Sequence, residues 1–155
     1  MTAYCRIGLF DIDLFYALET SFTRKIEQAD GQTLVTMFVA HSIWGAQVVQ
    51  DCLVEKNQKR RVYTYFKKYN EEFYDLLILN LLRCFEEINL KGIFMVLAHG
   101  NKAHLKKRSN IRKVLELAVR GITNLREEKS RVNNEEVFNL LCIKYFEISN
   151  AYCLN

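Results

Sequence analysis

Glu135-Glu-Val-Phe-Asn-Leu-Leu-Cys-Ile-Lys-Tyr-Phe-Glu-Ile-Ser-Asn-Ala-Tyr-Cys-Leu-Asn155 is the stretch that decides how this chain is read. Phe138, Leu141, Cys142 and Tyr145 recur at steps of three, one and three, which places them on one face of a helix. Ser149-Asn150 interrupts that helix, and Ala151 to Leu154 begin a return. The small Cys142 leaves a notch among larger side chains where a partner helix can approach closely. The stretch therefore reads as the first helix of a helical hairpin.

The same spacing continues upstream. Asp11 or Asp13 caps a first helix with Leu14, Leu18, Phe22 and Ile26 as its stripe, and Asp30-Gly31 is read as its stop. A second helix is expected from about Thr33 to Val54, with Leu34, Val35, Phe38, Val39, Ile43, Trp44, Val48, Val49 and Leu53 surrounding it, so it is central. A long third helix then runs to about Glu87. Its stripe is Val62, Phe66, Tyr69, Phe73, Leu76, Asn80 and Cys84, with Asn80 the one polar member. A fourth holds Ile93 to Ala98 and breaks at His99-Gly100-Asn101. Ser109 or Asn110 caps a fifth, with Ile111, Val114, Leu115, Ala118, Ile122 and Leu125 inward. Asn133 and Glu136 form a capping box for the sixth. No alternating β-branched run argues for a strand. The expectation is an all-α single domain over 1–155, built of antiparallel helical hairpins. Either a right-handed repeat like the tetratricopeptide array or an orthogonal bundle would satisfy it.

Composition agrees with that class. The chain has 155 residues, half of them hydrophobic, with no proline, six glycines, ten phenylalanines and eight tyrosines. That is enough apolar surface for one core without a metal or disulfide staple. No run reaches the roughly 18 apolar residues of a membrane span, and the first residues lack the pattern of a signal peptide. Cys5, Cys52, Cys84, Cys142 and Cys153 are odd in number and scattered, with no C-x-x-C pair. They read as reduced thiols, which implies a nuclear or cytoplasmic location.

The net charge of +4 is uneven. Lys56, Lys59, Arg60, Arg61, Lys67 and Lys68 form one acid-free block, and Lys102, Lys106, Lys107, Arg108, Arg112 and Lys113 form another. Such blocks fit a polyanion or an acidic partner, or a solvated helix face. In the first block aromatics interleave the cations, as in proteins that stack nucleic-acid bases. Val62, Phe66 and Tyr69 belong to the core stripe, however, which leaves Tyr63 and Tyr65 for stacking. For catalysis there is no glycine-rich phosphate loop, no G-x-S-x-G and no pair of carboxylates near an apolar pocket signature. His99 and His104 are five apart, a poor spacing for two metal ligands on one helix face. His41, beside Trp44, reads as a core histidine. The expectation is a non-enzyme with no metal and no cofactor.

Three pieces in order carry a family resemblance over about residues 73–155. They are Phe94-Met-Val-Leu-Ala-His-Gly-Asn-Lys-Ala-His-Leu-Lys-Lys107, Val114-Leu-Glu-Leu-Ala-Val-Arg-Gly-Ile122 and Asn139-Leu-Leu-Cys-Ile-Lys-Tyr-Phe-Glu-Ile148. Together they resemble the helical repeats that precede the winged helix in PCI-domain proteins of the mRNA-export and signalosome-associated class. Members of that family are much longer, and their winged helix follows where this sequence stops. The resemblance thus implies a truncated form or the N-terminal part of a longer PCI-type protein, and contacts made by the winged helix do not carry over. It implies a helical scaffold that binds a protein partner, as a subunit of an mRNA-export or transcription-coupled complex. The rival readings are an RNA-binding protein using Lys59, Arg60, Arg61, Lys67, Lys68, Lys106, Lys107, Arg108, Arg112 and Lys113, and a small helical bundle of viral regulatory or globin-like kind. Val137, Leu140, Tyr152 and Leu154 cannot all share the inner face with Phe138, Leu141 and Tyr145. They are the expected partner interface, covered by a second copy in a homodimer or by a partner helix.

Overall fold

The computed structural model describes residues 11–52, 70–100, 108–127, 139, 142–147 and 150. The regular elements are α1 (Ile12–Thr23), α2 (Gly31–Cys52), α3 (Asn70–Arg83), α4 (Leu90–Gly100) and α5 (Arg108–Glu127), with residues 142–147 also helical. No strand occurs among the described residues, so the chain is all-α.

The connection from α1 to α2 and that from α3 to α4 are the same device. Each first helix gives way to a single 3-10 turn, Ile26–Gln28 or Phe85–Glu87, whose first residue is buried. One extended residue follows, Ala29 or Ile88. An Asx side chain then caps the next helix. Asp30 accepts from the Thr33 amide at 2.7 Å, and Asn89 accepts from the Gly92 amide at 2.8 Å. The carbonyls of the same two residues accept from Leu34 and Ile93. A side-chain oxygen at this position satisfies a helix-start amide that has no partner within the helix. Asp11 does the same for α1, accepting from the Leu14 amide at 2.9 Å.

Contacts between the helices fix their directions. Phe15 stacks on Trp44 at 4.4 Å while Glu19 meets His41, so α1 and α2 run antiparallel. Phe38 and Tyr74 pack edge-on at 5.5 Å, and Gly31 lies against Cys84, so α2 and α3 are antiparallel too. Asn110 bonds Asp75 and Arg120 lies over the Phe85 ring, so α3 and α5 are parallel. Gly92 faces Val35, which brings the starts of α2 and α4 together, whereas Gly121 of α5 faces Ile93 at the start of α4. The result is a helical bundle in which α2 packs on α3, α3 on α5, α5 on α4 and α4 back on α2, with α1 laid against α2 and α3. Leu34, Phe38, Leu77, Ile78, Leu81, Leu97, Val114 and Ala118 are buried among these elements. Each of these side chains apart from that of Ala118 contributes about 1.5–3 kcal/mol.

Trp44, Phe73 and Leu115 are core residues, as their spacing predicts; Leu141 lies outside the described residues. Leu76 is not core: it is 36% exposed. The buried arc of α3 runs from Asn80 through Leu77 to Ile78, because α2 and α5 press on it from two sides, and Leu76 falls just beyond that arc. Ile43 is exposed for a similar reason, at the edge of α2. On α1 the stripe turns so that Phe15 is fully buried, with Leu14, Leu18 and Phe22 half-buried. Asp30-Gly31 starts α2 rather than stopping α1, which already ends at Thr23. Ser109 and Asn110 lie inside the first turn of α5. Asn110 is buried and donates to Asp75, so a tertiary partner takes the side chain that local capping would have used.

Candidate functional surface

The last described helix presents two adjoining faces. Tyr145 is half-buried and packs against the core, with Cys142 half-buried beside that face. Ile143 and Phe146 point outward, 52% and 62% exposed. Phe146 meets the Tyr145 ring edge-on at 5.7 Å, which leaves its outer edge to solvent. Lys144 reaches Glu147 at 2.5 Å one turn on, so the cation on this helix is held locally. The arrangement is an apolar pair on one helical turn with the charges of Lys144 and Glu147 paired off to one side. Soluble chains scatter single exposed hydrophobics, but a large aromatic and an isoleucine together on one turn suit a partner surface.

The inner-face expectation holds for Tyr145, which packs against the core; Cys142 is half-buried, and Phe138 and Leu141 lie outside the described residues. The expected interface residues Val137, Leu140, Tyr152 and Leu154 lie outside the described residues. Ile143 and Phe146 were missed by the sequence reading. The signal was present: they sit one residue after Cys142 and Tyr145, on the adjoining strip of the same helix.

Of the basic blocks, Lys59, Arg60, Arg61, Lys67, Lys68, Lys106 and Lys107 lie outside the described residues. Arg108 begins α5, while Arg112 is exposed and Lys113 half-buried on the same helix. Further along, Arg120 pairs with Glu116 at 2.6 Å and lies 5.8 Å from the Phe85 ring centroid. An exposed pair of this kind is worth at most about 1 kcal/mol.

A second polar feature is internal. Glu19, His41, Ser42 and Tyr74 are all buried where α1, α2 and α3 meet. The Ser42 hydroxyl donates to the Phe38 carbonyl at 2.7 Å and lies 3.3 Å from the Tyr74 hydroxyl. Burial pushes the Tyr74 hydroxyl well up from its ordinary range; Ser42 opposes this and the Glu19 charge adds to it. His41 is a core histidine, as read from its neighbours. Cys84 and Cys142 are free thiols, Cys84 directing its sulfur toward the Ala29 carbonyl at 3.8 Å. No described helix is long and apolar enough to cross a membrane. Comparison with protein-family models, with curated proteins and with solved structures finds no match to this chain.

Proposed function

We propose that this chain is a helical-hairpin scaffold that binds a protein partner through its C-terminal helix, without catalysis. The observation that carries the reading is the exposed Ile143–Phe146 pair on a helix whose other face, through Tyr145, is docked on the core. Stacked hairpins bury one face on a predecessor and offer the next face outward, the usual geometry of interaction scaffolds. The resemblance of residues 73–155 to the repeats of PCI-domain proteins supports a finer version. In it the partner is a scaffold subunit of an mRNA-export or transcription-coupled complex, in the nucleus or cytoplasm. α4 and α5 carry two of the three pieces that resemble the family.

The test is capture of partners from a cell extract on the tagged chain, compared with Phe146→Asp. A protein retained in near-equal amount and lost with Phe146→Asp, with helicity unchanged, supports the reading. Retention of RNA alone, released by salt and reduced by Arg112→Glu, would replace it with the nucleic-acid reading. A second copy as the sole partner, seen by light scattering and lost in the same variant, would make the surface a homodimer face.

A further inference from the structure

The side of α3 that points away from the bundle carries a pattern that the C-terminal surface does not use. Glu72, Leu76, Leu79 and Arg83 follow one another at steps of four, three and four. That spacing sets all four within about 60° of one another around the helix. All four are exposed, Leu76 by 36% and Leu79 by 55%. Tyr74 and Leu81, on the opposite side of the same helix, are buried. Single exposed leucines are ordinary. Two on one strip, closed at one end by an acid and at the other by a base, are a more specific arrangement. Among the described residues neither Glu72 nor Arg83 enters an ion pair.

The order of the strip is self-complementary. The two charged residues and the two leucines are centred on the same point of α3, between Leu77 and Ile78. A two-fold axis through that point, normal to the helix, turns the strip end for end. It sets Leu76 against Leu79 of the partner subunit and Glu72 against Arg83 of the partner subunit, with the reciprocal pairs formed equally. At the rise of an α-helix, the two ion pairs lie about 8 Å to either side of the axis. Antiparallel helices also oppose their dipoles. A parallel approach in register would instead set acid on acid and base on base, and like charges face to face are costly. We propose that this strip of α3 is a homodimer face, on which two copies pair antiparallel through Leu76 and Leu79 with Glu72–Arg83 ion pairs at both ends. One helix face from each copy makes a small interface, below the ~1,200 Å² at which standard ones begin. The dimer therefore forms at high concentration, and the dilute chain is a monomer.

The test is sedimentation of the full chain over a concentration series reaching about 1 mM. The mean mass of the natural chain should climb toward two copies, that of Leu79→Asp should stay at one, and Phe146→Asp should behave as the natural chain does. Glu72→Arg and Arg83→Glu each turn both ion pairs into repulsions, and each should weaken the dimer about tenfold or more. Mixed in equal amounts, the two reversals restore both pairs, so the mixture should associate where neither does alone. Both variants remain net positive, since the natural chain is +4 and each reversal moves it by two. Overall attraction between them therefore does not explain such a recovery. A natural chain that stays a single copy throughout overturns the proposal, as does a dimer that survives Leu79→Asp or a mixture that fails to recover. A dimer lost in Phe146→Asp and kept in Leu79→Asp overturns it as well, and assigns the contact to the C-terminal helix. If Leu79→Asp loses its helicity, the mixture of charge reversals decides alone.

Discussion

Gly31→Ala tests the way the start of α2 is packed against the turn between α3 and α4. A Cβ at Gly31 would lie 2.8 Å from Ile88 Cγ1, 3.1 Å from the Cys84 carbonyl oxygen and 3.1 Å from Glu87 Cβ. One of these atoms is backbone and none is the free end of a flexible side chain, so relief requires the two turns to separate. Separation also lengthens the 2.9 Å bond from the Gly31 amide to Glu87 Oε2. Overpacking of this kind costs about 1–3 kcal/mol, against which the stiffer unfolded chain of the alanine variant returns about 0.4–1. The expected net loss is about 1–2 kcal/mol, or roughly 2–8 °C in Tm for a chain of this length. Gly121→Ala is the control. Its Cβ would meet Ile93 Cδ1 at 2.9 Å, the end of a side chain that can turn away. Within a helix, alanine in place of glycine gains about 0.5–1 kcal/mol, so this variant should be neutral or stabilised. Urea unfolding followed by helix circular dichroism measures both. Equal stability of the two variants would refute the close turn-to-turn contact.

The buried arc of α3 predicts that Leu77→Ala costs about 2–5 kcal/mol while Leu79→Ala changes stability by no more than about 0.5, as denaturant midpoints will register. Tyr74→Phe should cost about 0.5–1.5 kcal/mol in thermal unfolding, since Ser42 keeps its bond to Phe38 and only the hydroxyl contact is lost. Hydrogen bonds from the Thr33 backbone and side chain hold the Asp30 carboxyl below its ordinary range. A depressed carboxyl stabilises the fold above its unfolded value of about 3.9 and loses that contribution as pH falls through the folded value. The protection of amides at the start of α2, measured against their unstructured exchange rates, should therefore fall on acidification in the natural chain, and stay low and flat with pH in Asp30→Ala.

Helix class was legible because apolar residues recur at three and four along most of the chain, and nothing competes with that period. Phe73, Trp44 and Leu115 could be placed inside because each is large and recurs with apolar neighbours at steps of three and four. Leu76 could not, since one heptad stripe describes a helix packed on one neighbour, whereas α3 is packed on both α2 and α5. Asp30-Gly31 was misread because the dipeptide suits a helix stop and a helix start equally; the 3-10 turn before it decides, and three residues are too few to show a period. Asn110 had a plausible local role, and only the approach of Asp75 from α3 overrides it. The device shared by the two connections also escaped notice. Ile26 and Phe85, Ala29 and Ile88, Asp30 and Asn89 are alike in chemistry more than in identity. On the candidate surface, Tyr145 was readable as an inner position. Ile143 and Phe146 were not, because hydrophobicity by itself does not say which apolar residue is left over.

The bond from the Gly31 amide to Glu87 has a consequence for the order of assembly. The first amide of α2 receives a carboxylate supplied by the following hairpin, beyond α3. Until that hairpin arrives, the start of α2 depends on Asp30 alone, and Ile88 has no glycine surface to close upon. The two hairpins should therefore form in one concerted event rather than zip up from the N-terminal end, and a chain still emerging during synthesis would hold α2 frayed at its start. An isolated piece ending before Phe85 should exchange its α2 amides far faster than the whole chain does, even where the sequence of α2 is unchanged.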